Sequence, residues 1–180
     1  MHGFARLLRT ALVAGAVTAA VAAAAPAASA NTATANATAA AFTAKVVNAN
    51  SDKCLAIPGG TSREFTQAIQ FSCYPPGDSK EWRVSRLYTD GYGNPVYGLE
   101  NVASGLCLSI AVESTSNGAQ VWQEDCSASP FQKWAYDKGI RLRNVATGKC
   151  MAVPNGWQSD GVGIIQWPCG TGAEQRWYVG

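Results

Sequence analysis

The one histidine in this chain is His2, six cysteines fall in widely spaced pairs, and the acidic residues are scattered. His2 lies in a segment expected to be removed, so the mature protein has no imidazole for a triad, a metal or a proton shuttle. Cys54 and Cys73, Cys107 and Cys126, and Cys150 and Cys169 are each 19 residues apart. Zinc sites favour much closer pairs, so no metal is expected. Asp160 with Glu174 is the one carboxylate combination that suggests glycosidase chemistry, and two surface acids is the favoured reading. The chain is therefore expected not to be an enzyme, with no cofactor.

Composition narrows the partners. The chain has 180 residues, 47% hydrophobic and 14% charged, with 18 Gly and 8 Pro, which suits one globular domain. With Arg6 and Arg9 of the leader discounted, the 14 Lys and Arg fall to 12 and match the 12 Asp and Glu. Nucleic acid binding needs a phosphate-facing excess of positive charge, and no basic stripe is visible, so no nucleic acid partner is expected.

Residues 1–30 read as a secretory signal. "MHGFARLLR" is a basic start, "TALVAGAVTAAVAAAA" an apolar stretch, and Ala28, Ser29 and Ala30 form a small-residue exit with cleavage expected after Ala30. No membrane span is expected, and the location is secreted, extracellular. Residues 31–44, "NTATANATAAAFTA", read as a disordered Ala/Thr linker with little to bury. The domain then runs over residues 45–180.

Within it one unit is written three times, over about residues 45–86, 97–138 and 139–180. Besides the cysteine spacing, Asn48, Asn101 and Asn144 each stand six residues before the first cysteine of a pair. "AIQFSC", "VWQEDC" and "IIQWPC" contain the second cysteine, and Trp82, Trp134 and Trp177 follow. Gln132 and Gln175 stand two residues before their tryptophans, and Lys80 takes that place in the first unit. The first unit also carries an extra loop, "YTDGYGNPVYG". "SG" at 104–105 and "TG" at 147–148 lie between short apolar runs, as hairpin turns do. "LCLSI", "KCMAV", "GIIQW" and "RWYV" read as strands, and no helical period survives after residue 43. About four short strands per unit, about twelve in all, predict an all-β, pseudo-threefold barrel.

These phrases resemble the ricin-B-type lectin family, a β-trefoil of three homologous repeats, and the resemblance covers residues 45–180. It implies that Trp82, Trp134 and Trp177 plug the core while Gln132 and Gln175 pin adjoining turns. Lys80 in that place should send its charged head to solvent and leave the first lobe looser. Of the pairings that six cysteines allow, the repeat selects Cys54–Cys73, Cys107–Cys126 and Cys150–Cys169, one within each unit, which a secreted compartment permits.

The family's sugar site has a carboxylate just after the Cys-Leu step, an aromatic platform two residues before the second cysteine, and polar groups leading into the tryptophan phrase. These positions fall on Ala56, Phe71, Ser79 and Lys80 in the first unit. They fall on Ser109, Glu124, Phe131 and Gln132 in the second, and on Ala152, Trp167, Glu174 and Gln175 in the third. The carboxylate is missing from all three, a loss of about 1.5–3 kcal/mol of charge-assisted hydrogen bonding, so weak affinity and a ligand other than simple galactose are expected. The third unit offers compensation through Glu174 and the loop "PNGWQSDG", with Asn155, Trp157 and Asp160. The candidate carbohydrate-binding residues are therefore Trp167, Gln175, Glu174, Asn155, Asp160, Trp157 and, more weakly, Phe71. The expected function is a non-catalytic, lectin-like carbohydrate-binding protein. The alternative is a trefoil that binds another extracellular protein, as a protease inhibitor or adhesion module.

Overall fold

The computed structural model describes residues 40–180. The expected signal and residues 31–39 of the expected linker lie outside them. The described residues form one thirteen-stranded antiparallel network with six short 3-10 turns. The first repeat contributes β1 (Phe42–Asn48), β2 (Cys54–Ala56), β3 (Thr66–Gln67), β4 (Ile69–Phe71) and β5 (Glu81–Thr89). The second contributes β6 (Pro95–Asn101), β7 (Cys107–Ile110), β8 (Val121–Glu124) and β9 (Trp134–Tyr136). The third contributes β10 (Leu142–Asn144), β11 (Cys150–Ala152), β12 (Ile165–Trp167) and β13 (Trp177–Val179).

Four strands per repeat match expectation, and the thirteenth is the two-residue β3. It pairs with β8 at the seam between the first two repeats. The other two seams keep the same contact as single bridges, Gln120 to Ile165 and Gly163 to Ile69. The barrel closes where β1 meets β13, with Val46 opposite Val179. One boundary moves. β1 starts at Phe42, inside the stretch expected to be linker, because Phe42–Lys45 pairs with β5 and Ala44 packs into the core.

The repetition has a physical cause. Trp82, Trp134 and Trp177 are fully buried, and each indole N–H donates to a carbonyl of its own repeat: Leu55 (3.0 Å), Leu108 (3.1 Å) and Met151 (3.0 Å). The three expected disulfides are formed, with Cα separations of 5.1, 4.9 and 5.0 Å.

Buried amides join the repeats. Gln70, Gln123 and Gln166 have no exposed surface. Gln123 Nε2 donates to Thr61 O and Arg63 O of the first repeat, Gln166 Nε2 to Ser114 O and Ser116 O of the second, and Gln70 Nε2 to Trp157 O and Ser159 O of the third. Their Oε1 atoms accept from Ser51, Ser104 and Thr147 hydroxyls, each at 2.7 Å. Asn48, Asn101 and Asn144 make a second ring, donating from Nδ2 to Glu174 O, Ser79 O and Phe131 O of the preceding repeat. A buried polar group holds its place only when satisfied. Here the satisfaction runs across every seam, so each repeat depends on its neighbours.

Lys80 departs from expectation. It is 8% exposed, and its Nζ donates to Pro75 O (2.6 Å) and sits 5.6 Å from the centre of the Phe71 ring. One more residue separates Cys73 from Trp82 than separates the matching pairs in the other repeats. That extra length brings a proline carbonyl within reach, so the ammonium turns inward.

Candidate functional site

A cavity in the third repeat has a volume of about 590 Å³, bounded by β11, β12, the turn Pro154–Gly156 and the turn Ala173–Gln175. In β12 the chain alternates, so buried Gln166 is followed by Trp167 facing outward at 46% exposure. Pairing of Trp167 with Cys150 fixes the indole beside the disulfide Cys150–Cys169. Gly118 of the second repeat, with φ of 81°, lies close enough that an added Cβ would touch the indole edge at 3.8 Å.

The polar part of the rim is held by backbone. Val153 N–H donates to Glu174 O (3.0 Å), tying the end of β11 to the turn opposite. Asn155 is exposed and held at φ of 54°. The Glu174 carboxylate lies over Gly172, where a Cβ would collide with it, so glycine at 172 gives the acid its room. Among the described residues, neither the Asn155 amide nor the Glu174 carboxylate has a side-chain hydrogen-bond partner. Gln175 is different: its Oε1 accepts from Gly170 N–H (2.7 Å) and its Nε2 donates to Pro168 O (3.1 Å), leaving one N–H. Ala152 leaves an apolar patch in the floor.

Trp167, Glu174, Gln175 and Asn155 therefore line one cavity, while Trp157 and Asp160 are not among its walls. Asp160 turns to the first repeat, forming an ion pair with Lys53 (2.8 Å) and accepting from Ser72 N–H (2.8 Å). The Lys53 hydrogen bond, against some desolvation and with help from Ser72, holds its carboxyl below the usual carboxylate range. Trp157 is 58% exposed, and its carbonyl is engaged by Gln70. Asn50 Nδ2 to Gly156 O and Gln158 Nε2 to Asn50 O complete the strap. Asp160 is thus engaged by the first repeat and does not line the cavity that Glu174 lines.

The first repeat has a matching cavity of about 380 Å³, with Phe71 (39% exposed), Ser79 and Lys80 in its walls and Ala56 in its floor. The second repeat is rearranged. Trp122 stands opposite Ser109 where the other repeats place Ile69 and Ile165. Glu124 accepts from Trp122 Nε1 (3.1 Å) and Gln132 Nε2 (3.0 Å). Phe65 packs on Trp122 with ring centres 4.8 Å apart. It does so at φ of 60°, where the other two repeats have Gly118 and Gly161. Among the described residues, no group of three His, Cys, Asp or Glu side chains is placed to hold a metal, and no helix is long and apolar enough to cross a membrane.

Residues 42–177 match the family described as "Ricin-type beta-trefoil lectin domain". The chain belongs to that family. Solved structures agree. A designed threefold-symmetric protein, ThreeFoil, is 32% identical, with a TM-score of 0.69 over 76% of this chain and 96% of its own. An exo-β-1,3-galactanase from Clostridium thermocellum is 27% identical, with a TM-score of 0.67 over 76% of this chain and 29% of the enzyme. The Rhizoctonia solani agglutinin, 20% identical with a TM-score of 0.64 over 77% and 94% of the two chains, shares the fold. No curated protein sequence matches the chain. As a ricin-type member it has two residue sets that sequence reasoning passed over. The glutamines at 70, 123 and 166 were visible three residues before each second cysteine. The inward turn of Lys80 had no signal beyond the one-residue insertion.

Proposed function

We propose that this protein is a secreted, non-catalytic carbohydrate-binding protein that engages extracellular or cell-wall glycans through the third-repeat pocket. The observation that carries this reading is Trp167, half exposed in a cavity that also holds the unengaged Glu174 and Asn155 groups. A pyranose has an apolar C–H face and a polar edge. An indole beside a few placed polar groups complements both. Family membership supports carbohydrate binding in general, and three disulfides suit an oxidising compartment outside the cell. Ala152 in place of the family's carboxylate gives weak affinity and a preference other than simple galactose. A weak site is effective on a polymer that presents many ligands.

The test is retention on immobilised polysaccharides. On neutral polysaccharides Trp167→Ala abolishes retention, Phe71→Ala weakens it modestly, and Ala152→Asp moves preference toward galactose-type ligands. Unchanged retention of a folded Trp167→Ala protein on every bound glycan overturns the site. A protein-binding reading has one observation of its own: Tyr92 is 82% exposed at the tip of the β5–β6 hairpin, where Asp90 braces the turn through Tyr92 N–H and Asn94 N–H.

A further inference from the structure

The first-repeat pocket contains a buried cation for which the protein supplies no anion. At the positions matching Lys80, Gln132 and Gln175 use both ends of their amides on backbone groups. Lys80 uses one ammonium N–H on Pro75 O, and an ammonium has three to give. Among the described residues it belongs to no ion pair. Asp160 lies within its field, but that carboxylate is engaged by Lys53 and Ser72. Burying a charge without a charged partner is costly. A position that glutamine fills in the sister repeats has no structural need for one.

The cavity that Lys80 faces explains the charge. Its walls include Phe71, Ile69 and Ser79, its floor is Ala56, and no acidic residue lines it. The third-repeat pocket has the opposite sign, with Glu174 at its rim and no basic residue in its walls. The two cavities are the same part of the fold with inverted charge.

We propose that the first-repeat pocket binds an acidic sugar, a pyranose bearing a carboxylate or sulfate, with its ring on Phe71 and its anionic group on Lys80 Nζ. Ser79 Oγ supplies a further polar contact at the rim. The proposal rests on the carbohydrate-binding reading and assigns a second ligand class to a second pocket. A carboxylate on the ammonium makes a charge-assisted hydrogen bond in a partly desolvated site, the stronger kind of polar contact.

The experiment is calorimetric titration of the folded protein with trigalacturonic acid, its neutral methyl ester and galactose 6-sulfate. The acid is expected to bind on the order of tenfold more tightly than the ester, and less tightly as salt rises. Lys80→Gln, which restores the residue of the sister repeats, removes that preference without changing the melting temperature greatly. Trp167→Ala leaves it intact. Lys80-dependent binding of galactose 6-sulfate in place of the uronate also supports the proposal and identifies sulfate as the anion. Equal binding of acid and ester, a preference unchanged in Lys80→Gln, or no Lys80-dependent binding of either acidic probe overturns it. If neutral glycans are still retained through Trp167, only this inference falls. If no glycan of any kind binds, the carbohydrate-binding reading falls with it.

Discussion

Replacing Gln123 by alanine tests whether the seams carry the stability of this fold. The side chain is fully buried and makes three hydrogen bonds: Nε2 to Thr61 O (2.7 Å) and Arg63 O (2.9 Å), and Oε1 from Ser104 Oγ (2.7 Å). Alanine deletes all three and leaves two carbonyls and a hydroxyl beside a void. A lost hydrogen bond costs about 1 kcal/mol and a stranded buried group about 1–3 kcal/mol, and water entering the void recovers part of this. The sum is about 3–5 kcal/mol. A domain of this size has an unfolding entropy of about 0.3 kcal/mol/K, so the melting temperature falls by roughly 10–17 °C. Scanning calorimetry under non-reducing conditions measures it. Because the contacts repeat at each seam, Gln70→Ala and Gln166→Ala should agree with Gln123→Ala to within about 1 kcal/mol. The exposed Gln120→Ala should change stability by no more than about 0.5 kcal/mol. A loss under about 1 kcal/mol at all three buried sites refutes the argument.

Two further outcomes follow from the geometry. The depressed Asp160 pKa, caused first by its Lys53 hydrogen bond, stabilises the 157–161 strap above the ordinary carboxylate pKa. That stabilisation is lost as pH falls through the lower folded value. Hydrogen exchange at Gly161 N–H, bonded to Gln70 O, should accelerate relative to core amides on going from neutral pH to about pH 3, and Asp160→Asn should remove the change. At the first seam, Phe65→Gly relieves a left-handed backbone strain of about 1 kcal/mol and loses an aromatic pair of about 0.5–1.5 kcal/mol. Its net effect on chemical denaturation should be under about 1 kcal/mol, and a larger loss would show that the pair carries more of the seam than its geometry indicates.

The fold was legible because its repeated residues do repeated jobs. Each tryptophan caps a carbonyl of its own repeat, each asparagine latches the preceding repeat, and each cysteine pair closes at one spacing. Such local duties leave a period in the sequence. The site was legible in part. Trp167, Glu174, Gln175 and Asn155 come together because short turns carry them to one rim. Asp160 and Trp157 do not, because Gln70, Ser72, Lys53 and Asn50 pull their loop toward the first repeat. Those partners lie about 90–110 residues away in sequence, beyond what any local spacing records. The start of β1 was hidden for a similar reason. Phe42–Ala44 looks like linker by composition, and its strand character comes from the facing edge of β5.

Lys80, where the sister repeats have glutamine, alters the pocket and the turn beside it together. In the sister repeats the glutamine has two duties. Gln132 Nε2 donates to Asp125 O while Oε1 accepts from Ser127 N–H, and Gln175 does the same with Pro168 O and Gly170 N–H. Lysine performs neither: its Nζ donates instead to Pro75 O, two residues past the cysteine rather than one before it. The donor left over would be Tyr74 N–H, which follows Cys73 as Ser127 and Gly170 follow their cysteines. Ser72 takes it: Tyr74 N–H donates to Ser72 Oγ (3.4 Å), and that hydroxyl donates in turn to Tyr74 O (3.0 Å). The matching residues, Asp125 and Pro168, offer their turns no such hydroxyl. A serine thus supplies the acceptor that the lysine cannot. The Tyr74 N–H thus keeps a partner, and the repeat gains a positive charge facing the Phe71 cavity.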